Sequence, residues 1–391
     1  MQRVVAFLIA ALAFVLSSVP AMAADALTSH RVTLKDGRSF DLQAPASLRI
    51  TPLAEGFKRP RFFTRSPDGR IFLTDMHDLG DNTRGAVYIL DGFDAANGKV
   101  GKITAWATGL RNPNSVAFLK DAQGVQWIYV ALTDSLLRYR YTPGESHPTG
   151  SAQLVARFPD RGMSAANGGW HLTRTVVPSG NGKLYVAIGS SCNACVETEA
   201  LRAVVVEMNP DGSGQRIIAH GLRNAVWMAI VDGQLLATNQ GVDHLGPNMP
   251  NESFYAIKPG DYGWPSCYVA GKAIKADPKY PRKEGCANVQ RPLAIFPAHG
   301  SALGFDVFAK GDNAQLADEI VVALHGSGSI RLGHGYKLVR MRRDGSGQRD
   351  LVSGFLRAGK VMGRPCGVLR VGPDALLFSD DRSGVIYYVR P

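Results

Sequence analysis

The sequence predicts an all-β fold, a six-bladed β-propeller with four antiparallel strands in each blade. Two observations predict it. A turn that contains Gly, with Arg or Pro nearby, leads into an apolar strand, and a Gly-centred hairpin then leads into a second apolar strand. This phrase recurs along the chain, and segments with the apolar period of a helix are missing. A spacing of about 40 to 60 residues between copies suits a four-stranded blade.

The phrase occurs six times, with the fifth copy degenerate, and six copies predict six blades. A β-sandwich with similar turns is the alternative architecture. Because a circular fold must hide its last strand edge, the early strands 31–34 and 48–51 are predicted to complete the C-terminal blade. The copies begin within residues 55–60, 108–113, 178–186, 221–224, 302–305 and 363–368.

The N-terminus has the pattern of a secretory signal. Arg3 precedes an apolar block, 4–15, and the segment ends in Ala21-x-Ala23, which predicts cleavage before Ala24. We therefore expect residues 1–23 to be a signal peptide and residues 24–391 to form one propeller domain, periplasmic or secreted. No later segment is apolar over the length that a membrane span needs.

Charge leaves the class of ligand open. The formal net charge is +11, but the basic residues are scattered along the chain, so nucleic acid is not an expected partner. A basic lining that attracts an anionic small molecule would give the same net charge.

The five cysteines fit a chain exported to an oxidising compartment. Cys192 and Cys195 form a C-x-x-C motif. Covalent haem attachment would need His at position 196, but Val stands there, so no c-type haem is expected. A small loop-closing disulfide is the preferred interpretation. Cys267 and Cys286 flank a polar excursion and are predicted to pair, which leaves Cys366 as a buried free thiol.

The first candidate for chemistry is His171, at the entrance to a predicted strand. Loops at one end of a propeller carry function, and a histidine there can take a proton from a hydroxyl near neutral pH. The alternative is a structural histidine with both ring nitrogens satisfied.

The second candidate is the pair Arg223 and Asn224, followed one hairpin later by the Gly-rich loop 239–246. A guanidinium beside an amide can hold a carbonyl oxygen that becomes an oxyanion, and a Gly-rich loop exposes carbonyls to a hard cation such as Ca²⁺. Gly241, Val242 and Asp243 are the predicted metal residues. A turn rich in Gly and Asn for backbone reasons alone is the alternative.

The third candidate is a basic set in the last two copies: Arg331, Lys337 and Arg364. Several cations that converge on a channel would suit a ligand with carboxylates, whereas scattered surface charge is the alternative for each residue singly.

With these residues in place, the sequence resembles the soluble dehydrogenases of glucose, aldose sugars and sorbosone that depend on pyrroloquinoline quinone (PQQ). The resemblance covers roughly all of the chain after the signal, and the motifs 190–193 and 325–327 are closest to the sorbosone branch. It rests on six motifs taken in order: His171-x-x-Arg174 ahead of 184–190, Gly221-Leu222-Arg223-Asn224, Tyr262-Gly263-Trp264-Pro265, Pro297-Ala298-His299-Gly300-Ser301, His325-Gly326-Ser327 and Gly363-Arg364-Pro365.

The resemblance implies PQQ over the channel, with its C5 carbonyl beside bound calcium. His171 matches the base that deprotonates the sugar hydroxyl while hydride passes to C5. The resemblance also implies that Arg223 and Asn224 hold the C5 oxygen and that the carbonyls of Gly241 and Val242 bind calcium. Ser301 and Arg364 would bind the quinone, and Arg331 would stand in for a lysine of the family.

Two positions depart from the family pattern. Ser190 stands where the glucose enzyme has the aspartate that orients the histidine, and Met362 stands where a second arginine is expected. The first hypothesis is a quinoprotein that oxidises a sugar or related alcohol or aldehyde and passes electrons to an external quinone or cytochrome. A calcium-dependent lactonase, with Asp243 and Asp75 as metal ligands, is the second. A non-catalytic binding propeller is the third.

Overall fold

A computed structural model describes residues 26–160, 170–311 and 314–391. Within these ranges the regular structure consists of strands, as predicted, and no helix among them is long and apolar enough to cross a membrane. The predicted signal peptide, 1–23, and the loop 161–169 before the candidate base lie outside the described residues.

The first three blades follow one another along the chain, each a set of antiparallel strands. Blade 1 comprises β4 (Pro60–Arg65), β5 (Ile71–Asp75), β6 (Gly85–Asp91) and β7 (Lys102–Leu110). Blade 2 comprises β8 (Ser115–Lys120), β9 (Gln126–Ala131), β10 (Ser135–Arg140) and β11 (Gln153–Arg157). Blade 3 comprises β12 (Arg174–Pro178), β13 (Leu184–Ile188), β14 (Val204–Met208) and β15 (Arg216–His220), with the short β19 (Gly260–Asp261) added in parallel at its edge.

The other three blades complete the circle. Blade 4 comprises β16 (Trp227–Val231), β17 (Gln234–Asn239), β18 (Glu252–Ile257) and β22 (Ala294–Phe296). Blade 5 comprises β23 (Ala302–Val307), β24 (Glu319–Leu324), β25 (Lys337–Arg342) and β26 (Arg349–Val352). Blade 6 comprises β29 (Pro365–Gly372), β30 (Ala375–Asp380), β31 (Val385–Arg390) and β3 (Arg49–Glu55). The six-bladed propeller predicted from the repeated phrase is confirmed, with one blade for each copy.

The first strand of each blade is the innermost. These strands contact one another in a closed ring, β4 to β8, β12, β16, β23, β29 and back to β4. Apolar clusters fill the space between neighbouring blades, as when Val130 and Val116 of blade 2 pack with Phe72 and Trp106 of blade 1. The ring therefore surrounds a central channel.

Closure of the ring uses one of the two early strands that were predicted to complete the last blade. β3 pairs with β31, from Arg49 opposite Arg390 to Glu55 opposite Val385, so the prediction for 48–51 is confirmed. The prediction for 31–34 is wrong. That segment belongs to β1 (Leu27–Thr33), which pairs with β2 (Ser39–Pro45) in a separate hairpin. Because β2 already hydrogen bonds to the backbone of β1, β1 does not join a blade. Val32 and Leu42 of this hairpin cover the core of blades 5 and 6.

Two further hairpins lie outside the blades, β20 (Cys267–Ala270) with β21 (Ala273–Ala276) and β27 (Leu356–Arg357) with β28 (Lys360–Val361). Both predicted disulfides are present, Cys192–Cys195 and Cys267–Cys286, and the second ties the excursion of blade 4. Cys366 is a buried free thiol, as predicted, and burial raises its pKa to about 12.

The channel is closed midway by an apolar cluster, which we call the channel plug: Phe62, Val226, Leu303 and Cys366, with Trp227 packed against it. Phe62 and Trp227 stack with their ring centroids 4.4 Å apart. Val226 and Leu303 form the floor of a cavity at one mouth, and Trp227 lines a separate apolar cavity of about 320 Å³ on the other side.

Candidate active site at one mouth of the channel

The candidate residues meet at one mouth because of the blade geometry. The first two strands of a blade are antiparallel, so the loop before the first strand and the loop after the second lie at the same end. His171 precedes β12, Arg223 precedes β16, Arg364 precedes β29, and His325 follows β24. Twelve residues line a cavity of about 180 Å³ there: Arg61, Met76, Leu79, Trp170, His171, Leu172, Thr173, Asn224, Val226, Gln240, Leu303 and His325.

His171 is held in the tautomer that a general base needs. The Ser190 hydroxyl donates to the Cys192 carbonyl oxygen at 2.6 Å, so it is an acceptor toward His171 Nδ1, which lies 2.9 Å from it and 3.0 Å from the Ser190 carbonyl oxygen. Nδ1 therefore carries the proton and donates. Nε2 keeps its lone pair, and it has no hydrogen-bond partner among the described residues.

The electrostatic environment keeps this imidazole neutral. Burial lowers the pKa of His171 well below 6.5, and the positive charge of Arg223 lowers it further. Ser190, which departs from the family aspartate, still orients the ring. It does so through two oxygens that bring no negative charge, so the base is weaker but fully available at neutral pH.

The other histidines near this mouth have both nitrogens engaged or are tied to acidic side chains. His325 donates from Nε2 to Asp381 at 2.7 Å and faces the Arg364 guanidinium, 3.3 Å away, with Nδ1. His244 Nε2 lies 2.8 Å from Asp277, and His299 Nε2 lies 2.8 Å from the Gly246 carbonyl oxygen. The hydrogen bonds therefore favour His171 over them as the base.

Arg223 is a buried cation with a fixed orientation, its side chain only 5% exposed. Nε donates to the Asn193 carbonyl oxygen at 2.9 Å, and Nη2 donates to Asn193 Oδ1 at 2.8 Å and to Asp243 at 2.9 Å. Nη1 has no acceptor within the described part of the chain. Asn224 lines the cavity, and its amide donates to Gln240 Oε1 at 2.9 Å.

The predicted calcium loop presents oxygen atoms. The carbonyls of Gly241 and Val242 accept no hydrogen bond from the described residues. Asp243 is the third predicted metal residue, but its carboxylate contacts two protein side chains. It accepts from Arg223, and it lies 3.4 Å from His299 Nδ1. It balances the charge of Arg223, and the two backbone carbonyls remain for a metal.

Sequence reasoning missed Glu252 at this loop. It is buried at the start of β18, and its carboxylate accepts the Gly241 backbone N–H at 3.2 Å and a backbone N–H of Ser301. Burial raises its pKa to about 8, and no Lys or Arg nitrogen lies within 4 Å of it in the described chain. The positive charge of Arg223 opposes this rise but does not overcome it. Two free backbone carbonyls beside a buried carboxyl group without a salt bridge form the hard oxygen set that Ca²⁺ prefers, so the loop fits this ion.

Of the basic residues offered for the quinone, Arg364 lies beside the cavity, with its Nη1 3.3 Å from Nδ1 of the lining residue His325. Arg364 Nη2 donates to the Ser327 carbonyl oxygen at 2.7 Å, its guanidinium lies over the Tyr336 ring, and no carboxylate pairs with it among the described residues. Arg331 is exposed, in the loop after β24, and does not line the cavity. Lys337 pairs with Asp350, 2.7 Å away.

A second group missed from the sequence lies beside Arg364. Asp381 is fully buried, and it binds Arg61 at 2.7 Å, Arg59 at 3.0 Å and His325. Burial alone would raise its pKa, but His325 and the two guanidinium groups overcome that effect and hold the pKa well below 3.8. Two arginines share this one carboxylate, so the side of the cavity formed by Arg61 and His325 is electropositive and suits an anionic ligand.

The lactonase arrangement gains no support from its two carboxylates. Both Asp75 oxygens accept backbone N–H groups, from Lys58, Arg59 and His77, at 2.8 Å each. The three-residue grouping of metal-ligating side chains found within the described ranges is Cys192, Cys195 and Glu197, whose two cysteines form a disulfide.

Comparison with known proteins identifies solved structures with the same fold. No family model and no curated protein sequence matches the chain. Among solved structures, the chain is similar to the holo form of the pyranose dehydrogenase PQQ domain from Coprinopsis cinerea, with 20% identity and a TM-score of 0.71, covering 90% of this chain and 97% of that one. It is also similar to the PQQ-bound aldose sugar dehydrogenase from Streptomyces coelicolor, with 19% identity and a TM-score of 0.62, over 89% and 99%.

A calcium structure of the family AA12 enzyme from Trichoderma reesei matches at 17% identity with a TM-score of 0.70, over 89% of this chain and 96% of that one. The resemblance predicted from the motifs is confirmed at the level of the fold. This chain has the propeller fold found in PQQ-dependent sugar dehydrogenases.

Proposed function

We propose that the chain is a quinoprotein that oxidises a sugar, or a related alcohol or aldehyde, with PQQ and calcium bound at the mouth described above. The observation that carries the proposal is His171, fixed with its Nδ1 proton donated and its Nε2 lone pair free in a cavity beside the buried Arg223. The motif at Ser190 supports the sorbosone-like branch, and the N-terminal pattern supports export to the periplasm.

The protein's part of the reaction follows from the hydrogen bonds. His171 Nε2 accepts the proton of the substrate hydroxyl, while Ser190 and Arg223 keep the ring oriented and neutral beforehand. PQQ, when bound, supplies the acceptor for the hydride that leaves the substrate carbon. Arg223 Nη1 and Asn224 would hold its reactive oxygen, Gly241, Val242 and Glu252 would hold the calcium, and Arg364 with Ser301 would face its polar rim.

An external quinone or cytochrome would take up the electrons, because the C-x-x-C of this chain forms a disulfide and is not followed by a haem-ligating His.

Trp170 is 43% exposed at the cavity rim and has a φ of 75°, which is rare for a bulky residue. Its ring offers an apolar face to a sugar beside His171.

Thermal unfolding tests the proposal. PQQ and Ca²⁺ together should raise the melting temperature, since ligands that bind only the native state stabilise it by about 2.7 kcal/mol at a hundredfold excess over Kd. Scans are run with each ligand alone and with both, and Mg²⁺ replaces Ca²⁺ as the ion control. The absence of a shift with both at saturation would favour the non-catalytic binding propeller.

Glu252→Gln should weaken calcium binding. The substitution removes a carboxylate charge at the loop of Gly241 and keeps the size of the side chain, so we expect the Kd for Ca²⁺, measured calorimetrically with PQQ present, to rise at least about 10-fold. Glu319→Gln is the matched control, because Glu319 is also a buried strand glutamate but pairs with Arg349 in blade 5. An unchanged Kd in Glu252→Gln would show that calcium is held without this carboxylate.

A further inference from the structure

The loop closed by the Cys192–Cys195 disulfide lies between the two residues on which the proposed chemistry depends. It follows β13 of blade 3, and it touches both the loop before β12, which holds His171, and the loop before β16, which holds Arg223. We call residues 190–197 the disulfide loop. Its contacts with the two residues use carbonyl and amide oxygens as acceptors.

On the histidine side, the contact runs through Ser190. The Cys192 carbonyl oxygen accepts the Ser190 hydroxyl proton at 2.6 Å, which leaves Ser190 Oγ to accept from His171 Nδ1. The Ser190 carbonyl oxygen, 3.0 Å from Nδ1, can only accept, so it keeps the proton on Nδ1 whichever way the hydroxyl turns. If the Cys192 carbonyl moved away, Nδ1 would lose its second acceptor and the ring would be held less firmly.

On the arginine side, Asn193 makes four acceptor contacts. Its carbonyl oxygen accepts from Arg223 Nε at 2.9 Å and from Trp264 Nε1 at 3.2 Å. Its Oδ1 accepts from Arg223 Nη2 at 2.8 Å and from the Asp243 backbone N–H at 3.0 Å. One side chain thus fixes the guanidinium and the start of the predicted calcium loop together.

The disulfide loop is itself anchored at both ends. Glu197 accepts the backbone N–H and the hydroxyl of Ser191, each at 2.7 Å, and the Ala194 carbonyl oxygen accepts the Tyr280 hydroxyl. Between these anchors the covalent ring of Cys192 and Cys195 restricts the backbone that carries the Cys192 and Asn193 carbonyls. A four-residue segment without regular structure would otherwise sample many orientations of these groups.

We propose that the disulfide loop orients the base and the buried cation together, with Asn193 as the positioning residue for Arg223 and Ser190 as the residue that holds His171 Nδ1 through its carbonyl and hydroxyl oxygens. The inference rests on the proposed function for its catalytic meaning. It explains how the chain works with Ser190 in place of an acidic residue, because the covalent ring supplies the orientation that a carboxylate would otherwise supply.

The first test uses the apoprotein, so that it does not depend on quinone binding. Proton exchange at His171 Nδ1 reports how firmly the ring is held, and proton exchange at the Arg223 guanidinium reports its hydrogen bonds. In Asn193→Ala the guanidinium protons should exchange about 10-fold faster, as expected for the loss of roughly 1.4 kcal/mol of hydrogen bonding, with exchange at His171 Nδ1 unchanged. In the double variant Cys192→Ser, Cys195→Ser exchange should be faster at both groups.

Two further variants make the comparison specific. Asn193→Asp keeps an acceptor at the Oδ1 position and should retain slow exchange. Asn209→Ala, in an exposed turn of blade 3, should leave both readouts as in the wild type.

The second test uses the protein loaded with PQQ and Ca²⁺. Asn193→Ala should lose about 10- to 100-fold in kcat/KM with an unchanged pH profile, whereas the Cys192, Cys195 double variant should also change the acidic limb of the profile. Unchanged proton exchange at both groups in the folded Cys192, Cys195 variant would overturn the inference. Failure of the wild type to bind PQQ would instead overturn the proposed function, and the apoprotein readouts would still decide this inference.

Discussion

His171→Gln is expected to lower turnover of the PQQ-loaded protein by about 10² to 10⁴-fold. Glutamine can keep a donor toward Ser190 and roughly fills the ring's place, but it cannot accept a proton at neutral pH. The remaining rate should rise with pH, because hydroxide or water would then take the proton. Turnover is measured with an artificial electron acceptor, after absorbance has shown that the quinone is bound to the same occupancy in both proteins.

The wild-type pH profile follows from the environment of the same residue. Since the pKa of His171 is lowered well below 6.5, the neutral, proton-accepting form persists as the pH falls through 6.5. The acidic limb of kcat/KM should therefore begin clearly below pH 6.5, and it should be absent in His171→Gln. A limb centred at or above 6.5 would contradict the buried, neutral imidazole.

Arg223→Ala provides the contrast. It should weaken stabilisation of the developing oxyanion by roughly 3 kcal/mol. Because the positive charge of Arg223 helps to lower the pKa of His171, its loss should also move the acidic limb of the pH profile to higher pH without abolishing that limb, as His171→Gln would. If His171→Gln instead retains near-full turnover with bound cofactor, the histidine is structural. The base must then be sought at His244 or His299, although both are already hydrogen bonded.

Asp381→Asn is expected to destabilise the fold by about 3–5 kcal/mol, measured as the free energy of unfolding in urea. The carboxylate is completely buried and neutralises Arg61 and Arg59 while accepting from His325. The amide removes the negative charge and leaves the two guanidinium groups without a counter-ion in the described chain.

The pH dependence of that difference has a defined sign. Because the pKa of Asp381 is lower in the folded chain than its ordinary value of 3.8, its contribution is complete above 3.8 and is lost only as the pH falls through the folded-state pKa. Asp41→Asn is the control, since Asp41 also pairs with two arginines, Arg31 and Arg357, but their side chains are 64% and 66% exposed, so these pairs should contribute only about 0–1 kcal/mol. Equal decreases in the free energy of unfolding of the two variants would show that the burial of Asp381 adds nothing to the stability of the fold.

The sequence predicted the parts of this molecule that depend on local pattern. Each copy of the turn-and-strand phrase became a blade. His171, Arg223 with Asn224, and Arg364 lie at the same end of the channel because they occupy equivalent loops, each before the first strand of a blade. The disulfides followed from short spacings and from a polar excursion.

The missed residues depend on contacts between distant segments. In the sequence Glu252 resembles an ordinary strand residue, and only its burial beside Gly241 makes it a candidate metal ligand. Asp381 and Arg61 are 320 positions apart along the chain, so no spacing could connect them. Arg331 lies exposed in the loop after β24, and its role at the quinone stays a prediction.

The channel plug also determines how reactants can reach the site. Because Phe62 and Trp227 stack across the channel and Val226 and Leu303 close the floor of the cavity, the site is a blind recess with one opening. Under the proposed function, substrate, product and electron acceptor must share that opening. The oxidised product has to leave before an acceptor can approach the reduced cofactor, so the two half-reactions alternate, and a second substrate molecule that enters early competes directly with the acceptor.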